Sequence, residues 1–169
     1  MSEDKVVKKK KSKIVFFIVM AIAEVIVLGV IFSYAYVLKQ YAKIQRPEYN
    51  QEQVINTDLS EKKLAEMRGY RNIAIFGVDS RDSSVGKGNR SDVIIICSID
   101  QVTKEIKLVS VYRDTYLNIG SNSYQKCNHA YSYGGPAQAV KMLNDNLDLN
   151  ITDYITFNWK AVATAINIL

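Results

Sequence analysis

The most regular feature of the chain is an unbroken apolar run near its N-terminus. Residues 14–38 read IVFFIVMAIAEVIVLGVIFSYAYVL and contain one charged residue, Glu24. At a rise of about 1.5 Å per residue, a helix of this length exceeds the roughly 30 Å hydrocarbon core of a bilayer. The pattern therefore predicts a membrane-spanning helix over residues 14–38. A cleaved signal peptide is the alternative, but no A-x-A-like cleavage site follows Leu38, and we expect the anchor to be retained.

The segment after the span, residues 39–71, is polar throughout and has no sustained apolar period. It is expected to be a stalk that closes with a short helix. Asp58 or Ser60 could cap the start of this helix, and Gly69 could end it.

From residue 72 the pattern changes to short apolar runs of strand length. Predicted strands cover residues 72–79, 92–100, 106–114 and 153–159, and predicted helices cover 137–147, with Pro136 in the first turn, and 160–169. The tight connection over residues 101–105 makes the second and third strands an antiparallel hairpin. Their weak alternation predicts burial on both faces, and residues 116–135 are expected to be irregular. Residues 72–169 are thus expected to form one mixed-sheet α/β domain.

Charge is concentrated at the N-terminus. Six lysines lie within residues 1–13, and this basic flank predicts a cytoplasmic tail and an extracellular C-terminal part. Residues 39–169 carry 16 basic and 14 acidic residues, so the net charge of +5 does not indicate a nucleic-acid partner. A basic tail could bind DNA, but no helix-turn-helix fits in thirteen residues, and contact with anionic membrane lipid is the expected role.

The two cysteines, Cys97 and Cys127, are expected to be unpaired and partly buried.

Acidic and basic side chains cluster at the ends of the predicted strands. The first cluster spans residues 79–82 (DSRD), the second 90–92 (RSD), and the third 113–114 (RD). Strand order places all three at one edge of the sheet, provided that the first strand stays close to the hairpin. Aspartate oxygens bind hard cations and arginine binds phosphoryl oxygens through paired hydrogen bonds, so the pattern suits phosphoryl transfer. Solvated surface salt bridges remain the alternative interpretation.

Several motifs resemble the LytR-CpsA-Psr family of cell-wall enzymes. The resemblance runs in order from NIAIFGVDSRD, through GNRSDVIIICSIDQVTKEIKLVSVYRDTYLNI, to KCNHAYSYGGPAQAVKMLNDNLDLNITDYITFNW. It implies an α/β/α sandwich anchored by the preceding membrane helix. It further implies a magnesium-dependent phosphotransferase that moves an anionic glycopolymer, of teichoic acid or capsule type, from undecaprenyl pyrophosphate to peptidoglycan.

The resemblance also implies roles for particular residues. Asp79 and Asp92 resemble carboxylates that hold Mg²⁺, with Asp114 as a weaker candidate. Arg90 and Arg113 resemble arginines that bind the pyrophosphate, and Arg81 is a further candidate. Asp79 could also deprotonate the acceptor hydroxyl, although a carboxylate that holds a metal is a poor base.

The family pattern continues past the end of this sequence with an Arg-x-Arg element, so the domain is expected to be truncated. Two other functions remain open. One is a transcriptional attenuator of cell-wall genes acting through the basic tail, which deletion of residues 2–12 would disable. The other is a non-catalytic module that binds polyprenyl phosphate.

Other residues permit two interpretations. His129, the only histidine, lies near Cys127, but two ligands make a poor zinc site and a structural role is expected. Tyr124, Tyr131 and Tyr133 could stack on a sugar or pack beneath a loop.

Overall fold

The computed structural model describes residues 3–42, 44, 49–80 and 84–168, with side chains described from residue 15 onward. The chain forms two compact units, Met1–Glu48 and Tyr49–Leu169. The first is helix α1 (Glu3–Tyr41). Its part Val15–Tyr41 is long and apolar enough to cross a membrane by length and composition. Nearly all of the predicted span, residues 14–38, falls within this part.

The second unit is built on a four-stranded sheet with the order β3-β2-β1-β6. Its elements are α2 (Glu61–Met67), β1 (Tyr70–Val78), β2 (Ser91–Asp100), β3 (Ile106–Ser110), β4 (Tyr116–Asn118), β5 (Tyr124–Lys126), α3 (Asn128–Leu147), β6 (Asp153–Asn158) and α4 (Trp159–Ile168), preceded by a 3₁₀ turn at Gln51–Gln53. Strand β1 pairs antiparallel with β2 and parallel with β6, and β2 pairs antiparallel with β3. The predicted mixed-sheet α/β fold and its hairpin are confirmed.

The core lies between one face of the sheet and helix α3. Alternate residues of β1 and β2 are buried there, as the two-residue period of a strand requires. Phe76 and Ile94 belong to this face, and the Phe76 ring meets Tyr131 of α3 edge-to-face with centroids 5.3 Å apart. This packing buries one face of each strand, so residues at the strand ends and on the other face remain available for other contacts.

The segment before β1 also packs on the sheet domain. Val54 is 1% exposed and belongs to the core. The buried Asn144 side chain of α3 donates to Val54 O at 2.6 Å and to Ile151 O at 2.9 Å, and it accepts from Ile151 N at 2.7 Å. The compact unit thus begins at Tyr49, earlier than the predicted domain start at residue 72, because this network ties the polar segment to α3.

Helix α2 shows the expected caps. The Ser60 side chain accepts a hydrogen bond from Lys63 N at 3.4 Å, so Ser60 rather than Asp58 is the N-cap. Gly69, just beyond the helix, has a φ of 91°, a left-handed conformation that glycine adopts at low cost. Cys97 and Cys127 are both free, as predicted.

Burial on both faces of the hairpin is wrong for β3, whose five residues are all exposed. The strand is the outer edge of the sheet, whereas α3 packs over β2 and β6. It also ends at Ser110, so Arg113 and Asp114 lie in the loop that follows it.

The irregular segment predicted for residues 116–135 is also wrong. Strands β4 and β5 form a small antiparallel hairpin, and α3 begins at Asn128. Gly135 has non-helical backbone angles, with a φ of 70° and a ψ of −158°, so α3 consists of two helical segments that meet at a kink there. The second segment follows Gly135, in agreement with the helix start predicted at Pro136, whereas the first segment was not predicted.

Candidate active site at one edge of the sheet

One edge of the sheet carries an open cavity of about 580 Å³. The C-terminal end of β1, the start of β2 and the loop after β3 all reach it. Five of the predicted site residues line it: Asp79, Arg90, Asp92, Arg113 and Asp114. Arg81, the sixth, lies outside the described residues. The structure thus brings together the clusters that sequence position placed at one edge, while their roles remain predictions.

Strand pairing explains how the two carboxylates Asp79 and Asp92 arrive together. The antiparallel register of β1 and β2 runs through the Gly77–Val93 pair and then shifts, so that Val78 faces Ser91. A Cβ added at Gly77 would lie 2.9 Å from Val93 Cβ, so a larger residue there would separate the strands. The close approach at Gly77 therefore holds the ends of both strands, and the carboxylates beyond them, at the cavity.

An ion pair in the cavity joins Arg113 and Asp92. Arg113 Nη1 donates to Asp92 Oδ1 at 2.8 Å, and Arg113 Nε lies 3.7 Å from Asp114 Oδ2. The hydrogen bond to Asp92 and the charges of both carboxylates raise the pKa of Arg113. The side chains of Arg113 and Asp92 are 52% and 34% exposed, so a ligand entering the cavity can reach both of them.

Lys126 is a cation at this site that the sequence interpretation missed. Its Nζ lies 2.6 Å from Asp114 Oδ1, and the resulting hydrogen bond is the main cause that lowers the pKa of Asp114. The residue reaches the cavity because it ends β5, which was not predicted. The signal for that hairpin was the turn sequence at Gly120, Ser121 and Asn122, all of which have positive φ.

The start of α3 supplies two further polar side chains, Asn128 and His129. Asn128 is 5% exposed, and its Oδ1 has no hydrogen-bond partner among the described residues. His129 Nδ1 lies 2.9 Å from Gln125 Oε1. The Nδ1 edge of the His129 ring therefore makes a structural contact, as predicted. The residue also lines the cavity.

The carboxylates fit a magnesium ion. Asp79 makes no hydrogen bond or ion pair with any described residue, and in the same part of the chain Asp92 uses only Oδ1, toward Arg113. Among the described residues, no three or more His, Cys, Asp or Glu side chains are grouped closely enough to hold a metal ion by themselves. Mg²⁺ does not require such a cage, because it keeps several waters and binds through one or two carboxylates and substrate phosphates.

A second cavity, of about 150 Å³, adjoins the same two carboxylates. Asp79 and Asp92 line both cavities, but the rest of the second lining is largely apolar. It includes Ile75, Val93, Phe157, Trp159 and Val162. A charged cavity beside an apolar one suits a ligand with a phosphate head and a hydrocarbon chain.

A family model described as the LytR_cpsA_psr family matches residues 31–169. The chain is 36% identical over 102 residues to the polyisoprenyl-teichoic acid–peptidoglycan teichoic acid transferase TagU of Oceanobacillus iheyensis, covering 57% of this chain and 31% of that one. The protein of the same name from Bacillus subtilis is 28% identical over 167 residues, covering 96% and 52%. The chain thus spans about half or less of the length of these curated relatives.

A solved structure of a LytR-CPS2A-psr family protein, YwtF (TagT), shares the fold. It superposes with a TM-score of 0.53 at 22% identity, covering 73% of this chain and 42% of that one, and it is described with bound octaprenyl pyrophosphate lipid.

Proposed function

This chain belongs to the LytR_cpsA_psr family, and we propose that it functions in a membrane-anchored phosphotransferase. The enzyme moves an anionic glycopolymer, of teichoic acid or capsule type, from a polyprenyl pyrophosphate carrier to peptidoglycan. One observation carries the proposal: a cavity lined by carboxylates and cations adjoins an apolar cavity, and Asp79 and Asp92 line both.

The names of similar proteins support this substrate class. The TagU relatives are named as transferases between polyisoprenyl-teichoic acid and peptidoglycan, and the TagT structure is described with a polyprenyl pyrophosphate. The chemistry of the cavity agrees with a pyrophosphate ligand, since Arg90, Arg113 and Lys126 present three cations beside three carboxylates.

Each site residue has a role in this proposal. Arg90 and Arg113 bind phosphoryl oxygens of the pyrophosphate, and Arg81 is expected to join them. Asp79 and Asp92 hold Mg²⁺, which when bound offsets negative charge on the transferred phosphoryl group. Asp114 is the weaker metal ligand because Lys126 and Arg113 already occupy its carboxylate oxygens.

The reaction is a displacement at phosphorus. A hydroxyl oxygen of peptidoglycan attacks the phosphorus that carries the glycopolymer and forms a new P–O bond. The P–O bond to the carrier's phosphate breaks, and polyprenyl phosphate leaves with the electron pair. Residues of the cavity hold the pyrophosphate in line and balance its charge, which is the main requirement of such a step.

Helix α1 completes the proposal as the membrane anchor. Its apolar part, Val15–Tyr41, has the length of a span, and the six lysines before it predict a cytoplasmic N-terminus. The sheet domain is then extracellular, on the side where peptidoglycan is assembled, and the enzyme stays close to its lipid-borne donor.

The test uses the purified full-length protein with a lipid-linked glycopolymer and peptidoglycan, and it measures release of polyprenyl phosphate. Asp92→Ala and Arg113→Ala should each lower the rate at least about 100-fold, because each removes a charge that acts on the pyrophosphate. Lys141→Ala is the matched control, since its ion pair with Asp145 is on the exposed side of α3. Unchanged turnover in both site variants contradicts the proposal, and donor binding without release indicates a non-catalytic binding module.

A further inference from the structure

The cavity has two chemically different walls. Arg90, Arg113 and Lys126 present N–H donors and positive charge. At the start of α3, the wall instead presents Asn128 and His129. Asn128 Oδ1 is a buried acceptor that lacks a donor among the described residues, and such an atom ordinarily has one.

The hydrogen bond between His129 and Gln125 determines which nitrogen of the neutral imidazole carries the proton. Gln125 Oε1 lies 2.9 Å from His129 Nδ1 and is also within 3.4 Å of the Tyr133 hydroxyl. The amide nitrogen of Gln125 is directed to Ser123 Oγ at 3.2 Å. A carbonyl oxygen accepts hydrogen bonds, so Nδ1 carries the proton in the neutral ring and Nε2 keeps its lone pair.

The Nε2 lone pair is available to a ligand of the charged cavity. Gln125 does not line this cavity but a neighbouring one of about 310 Å³. The Nδ1 edge of the ring is therefore engaged by a residue that does not line the charged cavity, and among the described residues no hydrogen bond to Nε2 occurs. Tyr133 contacts the ring edge-to-face with centroids 6.1 Å apart, which holds its orientation.

An Nε2 atom with a lone pair does not bind a pyrophosphate oxygen, because such oxygens carry no protons to donate near neutral pH. It accepts instead from a ligand with an O–H group. We infer that the Asn128–His129 wall binds the hydroxyl that attacks phosphorus and that His129 Nε2 takes its proton as the new P–O bond forms. Gln125 is a positioning residue that holds the proton of the neutral ring on Nδ1.

This inference rests on the proposed function and assigns its missing base. As the hydroxyl oxygen bonds to phosphorus, its proton passes to Nε2 and the ring becomes imidazolium. The carrier leaves as polyprenyl phosphate with the electron pair of the broken P–O bond, and the ring later returns its proton to water. Asp79 is then free to hold the metal, a role that conflicts with service as a base.

The test replaces His129 with an amide side chain in the full-length protein. His129→Asn retains a nitrogen near the position of Nδ1 and can still donate to Gln125, but it has no atom equivalent to Nε2. A purely structural role for His129 therefore predicts near wild-type turnover for this variant. The proposed role predicts a loss of polyprenyl phosphate release of at least about 100-fold, the usual lower range for losing a general base.

Two further measurements separate chemistry from folding and binding. Binding of a polyprenyl pyrophosphate, followed through Trp159 fluorescence, should change less than about twofold in His129→Asn and His129→Gln. Free imidazole should restore part of the turnover of His129→Gly, because it supplies the missing ring nitrogen. Gln125→Leu should lower kcat about tenfold while leaving the KM for the lipid donor unchanged, as expected when only the tautomer is no longer fixed.

The outcomes distinguish failure of the proposed function from failure of the assignment of His129 as the base. If the wild-type protein releases no polyprenyl phosphate, the proposed function fails and the inference fails with it. If the wild type is active and His129→Asn keeps its rate within about twofold, only the assignment of His129 is overturned. A folded His129→Gly variant that is inactive and gains nothing from imidazole also contradicts a proton-accepting role.

Discussion

Arg113 Nη1 donates to Asp92 Oδ1 at 2.8 Å, and this bond joins the loop after β3 to the start of β2. The two residues line a cavity together with four other charged residues, Asp79, Arg90, Asp114 and Lys126. Because both side chains are partly exposed, screening by solvent limits what the pair adds to stability. Its consequence is positional, since the carboxylate orients the guanidinium before a ligand arrives.

The planar fork of Arg113 should matter more than its charge. Arg113→Lys keeps the charge but loses the paired donors that match phosphoryl oxygens. We expect the dissociation constant for a polyprenyl pyrophosphate to rise about tenfold, equivalent to about 1.4 kcal/mol, measured through Trp159 fluorescence. Arg71→Lys is the matched control, because Arg71 also pairs with a carboxylate, Asp153 at 3.1 Å, at the start of β1. Equal affinities of wild type and Arg113→Lys would show that the fork does not bind the ligand.

Removal of divalent cations tests the carboxylate pair. With EDTA present, the full-length protein should release no polyprenyl phosphate, and added Mg²⁺ should restore release. Asp79→Asn should raise the Mg²⁺ concentration for half-maximal rate at least about tenfold, since one of two anionic ligands is lost. Asp114→Asn should raise it less, because Asp114 is already paired with Lys126. A rate that is insensitive to EDTA would contradict the metal assignment.

Tyr131 should make the stability of the sheet domain depend on alkaline pH. Its hydroxyl donates to Val85 O at 2.6 Å and lies 3.0 Å from Thr156 Oγ1, and burial raises its pKa from the ordinary value of 10.0 to about 12. Since the folded state keeps the proton, this contribution is complete below pH about 10 and is lost as the pH rises toward about 12.

Denaturant unfolding of Tyr131→Phe between pH 7 and 12 measures that contribution. At pH 7 the variant should be less stable by about 1–2 kcal/mol, through loss of its hydrogen bonds. Its stability should also fall less steeply above pH 10 than that of the wild type. Part of the fall remains, because burial also raises the pKa of Tyr49 to about 12. Tyr124→Phe, an exposed tyrosine, should follow the wild-type curve, and a Tyr131→Phe curve parallel to the wild type would exclude the assigned cause.

Asn144 should be the most sensitive polar position of the core. Asn144→Leu removes three hydrogen bonds and leaves Val54 O and Ile151 O buried without this donor. We expect the free energy of unfolding to fall by about 2–4 kcal/mol and proteolysis to begin in the segment before β1. Asn167→Leu on the exposed helix α4 is the control. A loss below about 0.5 kcal/mol for Asn144→Leu would show that the network does not hold this segment.

The sequence predicted the central sheet because β1 and β2 must each bury an apolar face, and strand ends then determine where Asp79 and Asp92 lie. Strand β3 was misjudged because apolar composition does not reveal which strand occupies an edge. Lys126 and His129 were missed as cavity residues for a different reason. Their positions depend on a hairpin of two three-residue strands and on the short helical segment between Asn128 and the kink at Gly135, and neither has a periodic pattern long enough to recognise.

The polar segment before β1 was interpreted as a stalk because it lacks an apolar period. Its attachment to the domain depends on buried side chains such as Val54 and on two hydrogen bonds to a residue far along the chain. Asn144 donates to Val54 O, and the Asn56 side chain donates to Asn144 O. Such long-range hydrogen bonds leave no local trace in the sequence.

The most direct measurement is the mass of the product that the full-length protein makes from a lipid-linked glycopolymer and a soluble peptidoglycan fragment. The account predicts peptidoglycan bearing the glycopolymer through one new phosphodiester, with one polyprenyl phosphate released for each polymer transferred. Recovery of intact donor and unmodified peptidoglycan, from a folded protein that binds the donor in the presence of Mg²⁺, would contradict it.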